Sequence, residues 1–149
     1  MRRRATKQSR QAEAYVAAQA EEAVKSQLLE LTRQILEAIH AGDADTYAQH
    51  CAPDLTCFEE LAPYRIDGID FHRTVMQKMA ENPALAPARC DMVTPHVQLY
   101  GDAAVVTYTR LMSYFENGFP RMTTANETRI FIKQAGEWRM VHFHRSPTR

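Results

Sequence analysis

AAVVTYTRLMSYF, residues 103–115, carries the period-two pattern of a β-strand along its whole length. Successive side chains of a strand point to opposite faces. Val106, Tyr108, Arg110, Met112 and Tyr114 therefore share one face, and an arginine stands in the middle of it. Gly101-Asp102 turns the chain before this strand, and Glu116-Asn117-Gly118 turns it afterwards. Working outward, residues 91–100 read as the preceding strand, with Pro95 demanding a bulge or an edge position. Met122 to Lys133 and Trp138 to Arg145 read as the two that follow, joined around Gly136. From Ala88 onward the chain is thus four consecutive antiparallel strands.

The first half has a different period. Val24, Leu28, Leu31, Ile35 and Ala38 recur at steps of three and four, as a helix packed on a core requires, and Gly42 is its natural stop. Ala-rich residues 11–23 have high helix propensity without a strong apolar stripe. Asp43 caps a second short helix through Tyr47 to Cys51, with Pro53 ending it. Leu55 to Glu59 is a short strand, and residues 60–68 are a loop. Phe71, Val75 and Met79 mark a third helix, ended in the Asn82-Pro83 and Pro87 region. This order predicts an α+β fold with helices on one face of a curved sheet.

The 149 residues suit one domain of 17.0 kDa. An apolar fraction of 45% and a charged fraction of 24% place the chain among globular proteins. Eighteen basic and eighteen acidic residues balance, but Arg2, Arg3, Arg4, Lys7 and Arg10 fall in an acid-free start. The remainder is net acidic, so the body does not read as a nucleic-acid binder. No apolar run approaches the roughly 20 residues of a membrane span. Residues 1–23 read as a basic arm with an Ala-rich helical extension, and residues 24–149 as the folded domain. Cys51, Cys57 and Cys90 match no C-x-x-C spacing and read as reduced thiols, which points to the cytoplasm. The alternative is an organellar address in the arm, against which Glu13, Glu21 and Glu22 count. Arg3-Arg4-Ala5-Thr6 has the form of a basic-directed phosphorylation site, or of a solvated tail.

Strand alternation brings three arginines toward the helix-covered side. Arg110 keeps the company named above, Arg129 shares a face with Phe131 and Glu127, and Arg145 shares one with Val141 and Phe143. A buried guanidinium stays charged and needs acceptors. Either Glu127, Glu59 or backbone carbonyls satisfy each arginine, or the three line a pocket for a small carboxylate, a phosphate or an acidic segment. His142 and His144 alternate with Trp138 and Met140 on the last strand. Neither they nor His72 form a metal-binding spacing, so no metal and no cofactor are expected. Glu59 and His72 are the available bases, but no nucleophile motif accompanies them, and no catalytic residue is assigned.

Four stretches resemble the association, or hub, domain of calcium/calmodulin-dependent protein kinase II. They are Ala38-Ile39-His40-Ala41-Gly42-Asp43 on to Tyr47, Gly68 to Arg73, Thr94-Pro95-His96-Val97 on to Thr109-Arg110-Leu111, and Glu127-Thr128-Arg129 on to Trp138 through Ser146. The resemblance covers residues 24–146. It implies the NTF2-like cone and self-assembly into a double ring of about a dozen or more subunits. It also implies a pocket lined by Arg110, Arg129 and Arg145, with His72, Glu59 and Tyr108, and kinase subunits of the same family as partners.

The chain departs from the resemblance in lacking a kinase domain and a calmodulin-binding segment, so it reads as a hub standing alone or excised. Ala80 replaces an aromatic beside the pocket of some members, and residues 116–120 form a hairpin shortened by one residue. A small isomerase, dehydratase or cyclase using Glu59 or His72 as base is the competing reading. A third is that a ring displays many copies of the basic arm to an acidic partner.

Overall fold

A computed structural model of the chain describes residues 6–60, 62–82 and 89–148. Arg2 to Arg4, Pro83, Pro87 and Ala88 lie outside them. Helix α1 runs Lys7–Ala41, α2 Ala44–His50 and α3 Asp70–Glu81. The strands are β1 (Cys51–Phe58), β2 (Ile66–Asp67), β3 (Arg89–Tyr100), β4 (Ala103–Glu116), β5 (Phe119–Gln134) and β6 (Glu137–Pro147). They form one sheet in the order β2-β1-β6-β5-β4-β3. All neighbours are antiparallel except β1 and β6. The α+β expectation holds, with a parallel pair that sequence order did not disclose.

The helical stripe buries Leu28, Thr32, Ile35, Leu36 and Ala38 of α1, which lies against α2, α3, β3 and β4. Gly42 closes the helix in the left-handed region at φ 69°, and the Asp43 N–H reaches the Ala38 carbonyl at 2.9 Å. The Asp43 carboxylate then accepts from the Thr46 N–H at 3.0 Å and starts α2. A Cβ on Gly42 would come within 2.8 Å of the Ala80 Cβ, so the ends of α1 and α3 meet where only glycine fits.

Four local readings need correction. The Ala-rich extension is helical, but helix begins at Lys7, capped by Thr6, so Lys7 to Arg10 are helix rather than flexible arm. Cys51 opens β1 instead of closing α2, and Pro53 sits within a register shift of that strand. The expected 60–68 loop contains β2, paired with β1. The fourth, which bears on the site, is in β6. Ile130 pairs with His142 but Phe131 with Met140, so Val141 is the extra residue of a bulge and alternation reverses there. Trp138 and Met140 before it, and Phe143 after it, are all buried. His142 and His144 therefore do not share a face with Trp138 and Met140, and Val141 does not belong with Arg145.

Elsewhere the patterning carries through. β3 is an edge strand, and its register shifts between Val93 and His96, around Pro95. Two-residue turns with positive φ at Asn117-Gly118 and Ala135-Gly136 close the last two hairpins. Glu116 and Phe119 are already paired across the first of them.

Candidate functional site

The inner face of β4 and β5 turns polar toward one end. Ala104, Val106 and Tyr108 lead to Arg110 along β4, and Phe131 leads to Arg129 and Glu127 along β5, all buried. After its bulge β6 delivers Phe143 and Arg145 beside them, and Glu59 follows β1. Glu127 is the centre of this cluster. Its Oε2 accepts from Arg129 Nη2 at 3.0 Å and from the Tyr108 hydroxyl. Its Oε1 accepts from Arg145 Nε at 2.8 Å. Burial alone would raise its pKa, but the guanidinium groups of Arg129, Arg145 and Arg110 outweigh that and hold it down at about 2.

The three arginines differ in what they have left to offer. Arg129 is fully enclosed, with Nε on the Tyr108 hydroxyl at 2.8 Å, Nη1 on Met140 Sδ at 3.1 Å and its guanidinium over the Phe143 ring. Arg145 joins Glu127 to Glu59, donating from Nη1 to Glu59 Oε2 at 3.2 Å. Arg110 Nε lies 3.2 Å from Glu127 Oε1, an ion pair too poorly aligned for a hydrogen bond, so Nε has none among the described residues. Burial and the neighbouring Arg145 both press Arg110 below its ordinary pKa, though a guanidinium remains charged.

Glu59 Oε1 contacts His72 Nε2 at 2.8 Å, and the imidazole packs among Tyr47, Phe71 and Phe143. Hydrogen bonds thus run from His72 through Glu59, Arg145 and Glu127 to Tyr108 and Arg129.

A cavity of about 870 Å³ opens over this network. Arg110, Arg145, His72 and Glu59 line it; Arg129 and Tyr108 do not, lying beneath as its support. Of the predicted residues the fold therefore gathers all six, four at the cavity and two under it. Ala80 is not at the cavity either: Met79 lines it, and Ala80 meets Gly42. His40, which no spacing or face argument singled out, lines the cavity from the last turn of α1. Burial and then Arg110 lower its pKa, so near pH 7 the imidazole is neutral. Only spatial proximity to Arg110 marks it.

Cys57 Sγ, Glu59 Oε1 and His72 Nε2 lie within 4.8 Å of one another and offer a metal-sized ligand set. Sequence spacing could not show this, because Cys57 comes from β1 and His72 from α3. The chemistry of the set fits a cation poorly. Burial pushes the Cys57 thiol up to about 12, and Glu59 already faces Arg145. His142 accepts from or donates to the Thr56 hydroxyl at 2.8 Å on the opposite face of the sheet.

Helices packed on a six-stranded, mostly antiparallel curved sheet are the NTF2-like fold class. An NTF2-like protein from Streptomyces avermitilis shares this fold, with a TM-score of 0.68 at 18% identity over 85% of this chain and 97% of that one. Much nearer is a calcium/calmodulin-dependent protein kinase II hub homology domain from Chlamydomonas reinhardtii, with a TM-score of 0.76 and 38% identity, covering 85% of this chain and 99% of that one. The type II kinase subunit delta of Oryctolagus cuniculus is 38% identical over 125 residues, 82% of this chain and 23% of the kinase. The chain thus spans about a quarter of that relative's length. Residues 24–149 match the family model of the calcium/calmodulin dependent protein kinase II association domain. The chain belongs to that family.

Proposed function

We propose that this chain is a non-catalytic oligomerisation module whose copies close into a double ring, each subunit holding a small carboxylate or an acidic segment in its arginine-lined cavity. The family match over residues 24–149 is the observation that carries the assembly. Exposed Phe58, Val93, Phe115, Phe119 and Met122 are apolar surface that neighbours would cover. Ring closure needs a heterologous contact repeated around an axis, and two layers add a two-fold contact. Kinase subunits of the same family are partners such a ring would admit through that shared contact. The anion preference rests on Arg110, the arginine whose charge is least matched within the fold.

Native mass in solution, by light scattering behind gel filtration, tests the assembly. An assembly of about ten or more subunits supports it, and a monomer or dimer overturns it. Among the described residues the bases of the competing enzyme reading are already engaged with each other, and Glu59 with Arg145 as well. That arrangement favours a structural pair over a free general base.

A further inference from the structure

We infer that protonation of His142 and His144, on the outer face of the sheet, opens the two-fold contact between ring layers, an inference that rests on the assembly reading above. Cys57, Val106, Tyr108 and Phe143 are buried on the inner face, so their neighbours along each strand point outward. The pairing registers set those neighbours in rows across the sheet. One row runs His96, Thr107, Thr128, His144 and Phe58. The next runs Gln98, Val105, Ile130, His142 and Thr56. A shorter row of Val93, Thr109 and Asn126 flanks them. These rows hold no Lys, Arg, Asp or Glu, although charged residues make up 24% of the chain. A two-fold contact sets a patch against its own copy, where like charges would repel, and interface centres are depleted in charge. Rows about 7 Å apart on strands about 4.8 Å apart cover a few hundred Å², on the order of what a stable interface takes from each partner. Phe58 and Val93, 44% and 40% exposed, give this face its apolar anchors.

The surroundings of the two histidines are neutral. On the β1 side, His142 Nδ1 meets the Thr56 hydroxyl at 2.8 Å, and the Phe58 ring lies 6.1 Å from His142 and 6.0 Å from His144. On the β5 side stand Ile130 and Thr128. His96 is the remaining titratable group of the rows. Charged side chains occupy the margins: Asp54 on β1, Asp67 on β2 held by Arg65, and Arg139 on β6 donating to Glu137. None of them acts on His142. Burial and then the His144 imidazole hold its pKa below the ordinary value, against a smaller raising influence of Thr56. Above about pH 6.5 the imidazoles are neutral and the two faces can meet. As pH falls through that value, each copy gains cations that a two-fold axis sets against the same cations of its partner. No carboxylate of the rows receives them, and burying an unpaired charge is costly. The contact therefore holds at neutral pH and is lost toward acid. The fold is not expected to follow it, because Glu127 stays ionised down to about 2.

Native mass of the full chain at about pH 7.5 and about pH 5.5, with far-ultraviolet circular dichroism of the same samples, tests this. The mass is expected to fall to half or less at the lower pH while the circular dichroism stays unchanged. That corresponds to a contact weakened at least about tenfold, since each imidazole the contact keeps neutral contributes severalfold one unit below its free pKa. A monomer or dimer already at about pH 7.5 overturns the assembly reading itself. A full mass at both pH values overturns this inference and leaves that reading standing. Circular dichroism lost together with mass assigns the change to unfolding and overturns the inference as well. His142→Gln combined with His144→Gln is expected to keep the full mass in acid. A fall as large as that of the parent chain would place the switch on other groups, such as His96, and overturn the assignment. His144→Arg puts a permanent cation at an exposed position and is expected to give the reduced mass at about pH 7.5. A full mass in that variant would count against the outer face as the contact.

Discussion

Glu127 shows how one residue sets the chemistry of the site. It is 2% exposed, yet three arginines surround it. Glu127→Gln leaves those charges with one carboxylate fewer, and removing one partner of a buried ion pair costs about 3–5 kcal/mol. A fall of that size in unfolding free energy, read from urea denaturation, is the expected outcome. The pH dependence follows from the same carboxylate. Its folded pKa of about 2 lies below the ordinary value of 4.5, so its contribution is present above pH 4.5 and is lost as pH falls toward 2. Unfolding free energy across that range is expected to drop, by a few kcal/mol in all, and the glutamine variant should lack that part of the drop. Arg110→Ala is expected to behave differently. Arg129 and Arg145 still pair Glu127, so native mass should persist while carboxylate affinity falls at least about tenfold. Retained affinity would move the anion site away from Arg110.

At the scale of elements, α1 has two parts with separate duties. From Leu28 onward its stripe forms the core, whereas residues 10–23 are exposed throughout and none of them belongs to the core cluster. Deleting residues 1–23 is therefore expected to shift the melting temperature by no more than a few degrees. It should leave the subunit number unchanged, and any large drop in either would assign the extension to the fold. The junction of α1 and α3 is the reverse case. Gly42→Ala combines a left-handed backbone with a 2.8 Å approach to Ala80, and is expected to cost about 1–3 kcal/mol. Adding Ala80→Gly should recover at most the clash with the Ala80 Cβ, because the Met76 carbonyl oxygen still lies 3.0 Å from the new Cβ and φ remains 69°. Chemical denaturation of the single and double variants measures the share due to the Ala80 Cβ.

For the whole molecule, the tip of the β4–β5 hairpin exposes Phe115, Phe119 and Met122. If neighbours use this tip, Phe119→Asp with Met122→Asp should reduce the native mass without changing the far-ultraviolet circular dichroism. An unchanged mass would place the contact elsewhere, for instance on the outer sheet face around Phe58 and Val93. All three cysteines are free thiols. Burial raises Cys51 and Cys57 to about 12 and Cys90 to about 11, so none is a ready thiolate at neutral pH. Alkylation by iodoacetamide near pH 7 is expected to be slow in the native protein and fast after unfolding.

Local periodicity by itself determined the helices, the four long strands, their turns and the inward direction of Arg110 and Arg129, because each is a pattern repeated within a few residues. The family was legible in the run from Trp138 to Ser146. The structure alone decided what depends on register and on distant neighbours. The bulge at Val141 reverses the face of everything after it, which no alternation rule can anticipate from composition. Arg145 arrives inside because of that bulge, not because it shares a face with Val141. Arg129 and Arg110 look equivalent along their strands, yet one is enclosed by Tyr108, Glu127 and Met140 and the other opens on a cavity. That difference comes from packing across β4, β5 and β6. His40, Met76 and Met79 entered the site for the same reason: helices from the first half of the chain close over strands from the second, and sequence separation hides what tertiary contact joins.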